Sequence, residues 1–154
     1  MENEYKAIDI AKYFINELHP EPLKLQKLLY FAQGFSYAFY DKALFNDDFE
    51  AWVHGPVIPS IYHEYKSYEY NPIDLNYNLK DFNKDVIDIL EYVKRNYAKY
   101  DAKYLEEITH KEEPWLLSRT GLDPDERSDK TIPKSNIASY FTSYVLQPDD
   151  EEWD

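Results

Sequence analysis

The sequence predicts a mainly α-helical fold, a compact helical domain with one short β-hairpin that is α+β only at its margin. Two observations carry this. Apolar residues recur at helical spacing in several long segments and alternate in only one. The broadest apolar stripe lies just after Pro22, which marks that segment as the central helix.

In chain order, Ile8, Ala11, Ile15 and Leu18 follow Tyr5 on one helical face, and HPEP at 19–22 ends that helix. Pro22 suits the first turn of the next, where Leu25, Leu28, Leu29, Ala32, Phe35 and Phe39 form the apolar stripe. Gly34 disfavours a helix interior by ~1 kcal/mol relative to alanine, which implies close approach of another element. Lys24 and Lys27 read as the solvated face of the same helix. Phe45 and Phe49 flank the turn-prone NDD, and Phe49, Ala51 and Val53 alternate with Glu50, Trp52 and His54. A hairpin over 44–54, ended by Gly55-Pro56, is expected, with Trp52 and Tyr62 flanking that turn.

After Pro59 a short helix places Ile61 and Tyr65 on one face, whereas 67–80 lacks periodicity and reads as a loop of variable shape. Helical spacing returns from Phe82 through Val86, Ile89, Leu90, Val93 and Tyr97, with Asp81 or Asn78 as cap, and again from Asp101 through Leu105 and Ile108. Thr109 and Glu112 stand at capping-box spacing, which predicts a further helical turn presenting Trp115. Both Trp52 and Trp115 sit beside turns and are expected as core anchors. A polar loop over 120–133 precedes a last amphipathic helix bearing Ile137, Tyr140, Phe141, Tyr144 and Val145. Residues 1–146 read as one domain and 147–154, QPDDEEWD, as an acidic tail.

A chain of 154 residues buries roughly 68–70% of its unfolded surface. It has no cysteine, no secretory leader and no apolar run long enough to span a bilayer, so a soluble cytoplasmic protein without membrane contact is expected. Thirty acidic against seventeen basic residues give a net charge of -13, which disfavours direct nucleic-acid binding and favours basic partners. Sixteen Tyr, eight Phe and three Trp supply contact area with polar tips.

Chemistry finds little support. His19, His54, His63 and His110 lack the spacing of a helical zinc site, and no G-x-S-x-G elbow occurs. Three glycines, Gly34, Gly55 and Gly121, cannot build a phosphate loop or a dinucleotide fingerprint. No catalytic, metal or cofactor-binding residue is therefore assigned and no cofactor is expected. A small hydrolase would need His54 or His63 as base; an acidic nucleic-acid mimic would need ordered rows of carboxylates.

Three stretches, LKLQKLLYFAQGFSYAFYDKALF, EAWVHGPVIPSIYHEYK and LEEITHKEEPW, resemble the Panacea, or SocA-like, domain family, with motifs in family order across residues 23–145. The positions concerned are Gln26, Lys27, Tyr30, Gln33, Trp52, His54, Gly55, Pro56, Tyr62, Thr109, His110, Pro114 and Trp115, read as scaffold or partner contact. The resemblance implies an antitoxin of a bacterial or prophage toxin-antitoxin pair, which neutralises a cognate toxin by protein-protein contact without a chemical reaction. At least one branch of the family is similar in role to a protease adaptor, so the alternative is delivery of the toxin to a Clp-type protease.

Overall fold

Seven α-helices and one antiparallel hairpin make up the computed structural model, which describes residues 5–146; the predicted acidic tail at 147–154 lies outside the described residues. Helices α1 (Ala7–Leu18) and α2 (Pro22–Tyr40) lead into strands β1 (Glu50–Trp52) and β2 (Gly55–Val57). Helix α3 (Pro59–Tyr65) and a single 3₁₀ turn follow, then an irregular stretch, and then α4 (Lys84–Tyr97), α5 (Ala102–Thr109), α6 (Glu113–Ser118) and α7 (Lys134–Leu146). The mainly α prediction with a small sheet is borne out.

Helix α2 is central, as its broad stripe predicted, and the burial goes beyond a stripe. Every residue from Leu25 to Ser36 is buried, because α1, α4, α5, α7 and β2 all pack against it. The ends emerge: the first turn is half-buried, and in the last turn Phe39 is 44% exposed and rests edge-on against Tyr92 at 5.1 Å. Gly34 marks the close approach expected of it. A Cβ built there would clash with the Phe141 ring of α7, which itself meets Tyr30, Phe31 and Phe35 edge-on. The missing side chain lets an aromatic ring seat directly on the helix backbone.

The hairpin lies further along the chain than the alternation indicated. Its turn is Val53–His54, with Trp52 paired to Gly55 and Glu50 to Val57, so Gly55 and Pro56 open the second strand instead of ending the hairpin. The NDD run has other duties: Asp47 accepts a hydrogen bond from Ala7 N at 3.0 Å at the start of α1, and Asp48 pairs with Lys134. Pro56 stands opposite Ala51, whose own N–H and C=O go to Lys130 and Arg119, so the missing proline N–H removes no ladder bond.

Two predicted caps are also replaced. The N-cap of α4 is Asn83, not Asp81 or Asn78, and Thr109 ends α5 by donating back to Glu106 O at 2.9 Å while Glu112 caps α6 by position only. Thr109 is fully buried there, so its hydroxyl turns to the nearest carbonyl of its own helix. Asp101 does cap α5, accepting from Tyr104 N at 2.8 Å. The irregular 67–80 segment is pinned, not free: Ile73 is buried and exchanges contacts with Pro20 O and His19, Asn16 brackets Tyr77, and Lys80 pairs with Asp9.

Gly34→Ala should destabilise the domain by about 1–3 kcal/mol, the overpacking against Phe141 outweighing the ~1 kcal/mol gain in helix propensity. Urea denaturation of the two proteins measures it, and a variant as stable as the parent would show that the α2–α7 seam is looser than described.

Candidate functional site

The polar residues of α2 are the foundation of the site. Gln26 makes a two-way pair with Ile58, accepting from its N–H at 2.9 Å and donating to its carbonyl at 3.1 Å. Gln33 does the same for the start of the irregular segment, accepting from Leu44 N at 2.8 Å and donating to Phe45 O at 2.9 Å. Ser36 donates to Lys42 O at 2.6 Å. Lys27 is completely buried and donates to Pro56 O at 3.1 Å; the solvated face predicted for it is wrong, because the hairpin lies on that face. Lys24 is likewise half-covered and donates to Ala98 O at 2.6 Å. These side chains satisfy backbone that has no regular partner of its own.

Gly55 serves this arrangement twice. Its φ of 106° is left-handed, and a Cβ on it would stand 2.8 Å from both Lys27 Cε and Thr109 Oγ1. Burial pushes the Lys27 ammonium down to about 7, against the pull of the neighbouring Glu106 carboxylate. Glu106 is only 8% exposed, and its Oε1 lies 3.3 Å from His54 Nδ1 and 3.9 Å from His110 Nε2. Burial lowers the pKa of His110, whose ring stacks on Trp115 at 4.2 Å.

The outer side of the hairpin is braced by α6. Trp115 donates from its indole to Trp52 O at 2.7 Å, and Arg119, 5% exposed, donates to Ala51 O at 2.9 Å and to the carbonyls of Asp123 and Glu126 while covering the Trp115 ring. Residues 130–132 add a short third edge, with Ala51 N bonded to Lys130 O and Ile132 N to Phe49 O. Pro114 is buried at the start of α6. Deeper in, the Glu112 carboxyl faces Tyr30 and Tyr140; burial raises it to about 7, and neither the Tyr30 hydroxyl nor Glu112 Oε1 makes a hydrogen bond of ordinary geometry.

Between the hairpin, α3 and the start of α5 lies a groove of about 810 Å³. Of the predicted positions, Gln26, Trp52, His54 and Tyr62 line it, while Lys27, Gly55, Pro56 and Thr109 are packed together around the hairpin. Tyr30 and Gln33 lie in the core, apart from the groove. The two tryptophans part company. Trp115 is a core anchor at 5% exposure, but Trp52 is only half-buried and crosses Tyr62 edge-on at 5.0 Å on the groove wall, because the hairpin turn swings its ring off the α2 face. The imidazole of His54 is 71% exposed and Tyr70 is 84% exposed at the rim. Among the described residues no Ser, Thr or Cys lines the groove beside His54 to act as a nucleophile.

Arg119 and Glu106 are not singled out by the sequence, and Glu112 is read there only as the capping-box partner of Thr109. Glu106 and Glu112 lie three residues either side of Thr109, inside the LEEITHKEEPW stretch, and that clustering was the available signal. Arg119 had none. Among the described residues no group of three or more His, Asp or Glu is placed to hold a metal ion, and no helix is long and apolar enough to cross a membrane.

The fold defines a class of helical domain in which one buried central helix fastens a hairpin beside an open aromatic groove. The chain belongs to the SocA-like antitoxin family: the model of the antitoxin SocA-like, Panacea domain matches residues 25–116, from the end of the first turn of α2 to the middle of α6. No curated protein matches the chain, and no solved structure does.

The buried ions should leave opposite pH signatures. Lys27 loses its proton more easily folded than unfolded, so between about pH 7 and 9 its contribution to stability should rise with pH, by up to about 1.4 kcal/mol per unit, and Lys27→Met should abolish that rise. Glu112 holds its proton more tightly folded, so its contribution should fall as pH rises from about 4.5 to 7, and Glu112→Gln should flatten that limb. Denaturation midpoints across pH 4.5–9 check both; parallel profiles for variant and parent would refute the assignments.

Proposed function

We propose that this protein neutralises a cognate toxin by binding it directly through the groove beside the hairpin, without a chemical step. The observation that carries the reading is the division of the family motif into two parts. One part, Gln26, Lys27, Gly55, Thr109 and Trp115, is consumed in holding the hairpin; the other, Trp52, His54 and Tyr62, is left at the surface lining a groove. Aromatic rings with one edge solvated are the side chains that protein interfaces use as anchors. The family's description as antitoxins and the net charge of -13, which attracts basic partners, support the same reading.

Co-expression with the product of the neighbouring open reading frame, scored by growth rescue and co-purification, tests it. Trp52→Ala combined with Tyr62→Ala should melt near the wild-type temperature yet lose toxin affinity by about 2 kcal/mol or more, roughly thirtyfold. Trp115→Ala should instead cost about 3–5 kcal/mol of stability and lose rescue through low soluble yield. A folded Trp52/Tyr62 double variant that still rescues and still co-purifies would move the binding surface elsewhere.

A further inference from the structure

We infer that the groove recognises a segment of its partner in which a cationic side chain, arginine best of all, stands next to an apolar one. This rests on the reading of the groove as the toxin-contacting surface and names the chemistry it selects. The apolar wall is built from Trp52, Tyr62, Val57 and Leu23. At the other end is Glu106, a carboxylate almost wholly enclosed by protein that still borders the groove and whose near contacts are the imidazoles of His54 and His110. His54, two-thirds exposed or more, covers it as a loosely held lid that an incoming guanidinium can displace.

The rim agrees in sign. Glu21, Glu69 and Asp101 join Glu106 around the groove, against Lys66 and Lys103. A carboxylate at this depth is shielded from salt and binds a planar guanidinium through paired hydrogen bonds, while an adjoining ring or aliphatic chain covers the Trp52–Tyr62 edge. Lys27, whose ammonium feels the Glu106 charge from behind, is fully buried and spends its hydrogen bond on Pro56 O.

A phage-displayed dodecapeptide library panned on the whole chain supplies the probe. Recovered peptides should carry Arg or Lys within four positions of an aromatic or aliphatic residue. Replacing that Arg by citrulline in the synthetic peptide should weaken binding at least tenfold, and Glu106→Gln in the protein should do the same. The citrulline arm tests the contact without altering the fold, so it decides the matter even where Glu106→Gln destabilises the chain. Peptides without enriched basic residues, peptides indifferent to citrulline, or no recovered peptide at all would overturn the inference. Trp52→Ala separates the two readings: lost binding with citrulline indifference leaves the groove standing and removes only the cation, whereas unchanged binding removes the groove as well.

Discussion

Irregular backbone cannot be buried unless something answers its N–H and C=O groups, and this protein answers them from the side of a helix. Between Asp41 and Ile58 the chain makes only a short hairpin, yet much of that stretch lies against α2. Gln33 serves residues 44 and 45, Ser36 serves 42, Lys27 serves 56 and Gln26 serves 58. An unanswered buried carbonyl or amide costs about 1–3 kcal/mol, so these few side chains decide whether the hairpin can sit where it does. Gly34 and Gly55 are the steric counterparts of the same constraint, one admitting Phe141 and the other admitting Lys27 and Thr109.

The placement of the groove follows from this. Because the hairpin is tied to α2 beneath, to Trp115 and Arg119 outside and to residues 130–132 along its edge, Trp52 and His54 are presented from a rigid support. Rigid aromatic contact area loses little entropy on binding, which is the property that the proposed binding role asks of this surface. The acidic rim and the enclosed Glu106 concentrate part of the overall negative charge at the groove.

Helices were legible wherever apolar spacing ran long, and so was the significance of Gly34, whose only rationale in a helix interior is a close neighbour. Polar residues in α2 were where the reading failed. Apolar periodicity treats Lys27 as solvent-facing by default, and no local pattern reveals that a hairpin some thirty residues on will cover it. The hairpin lies elsewhere because Phe45 and Phe49 fall outside both strands and are held against α2, Gln33 donating to Phe45 O and Tyr30 meeting the Phe49 ring. Thr109 and Glu112 had capping-box spacing, but burial redirected one to Glu106 O and the other towards Tyr30 and Tyr140. In each case tertiary packing overrode a local preference. The unequal fates of Trp52 and Trp115 depended on which way a two-residue turn points, a matter that no spacing rule addresses.

The pinned segment after α3 has a consequence for how such a protein diversifies. Ile73 and Tyr77 fasten it to α1, while Glu69, Tyr70, Asn71 and Pro72 ahead of that anchor are exposed, and the first two border the groove. Replacing those residues alters the lip of the groove and leaves the α2 clasp untouched. The clasp that holds the hairpin and the lip that borders the groove are thus encoded in separate stretches of chain, so the lip can change in sequence while the clasp stays as it is.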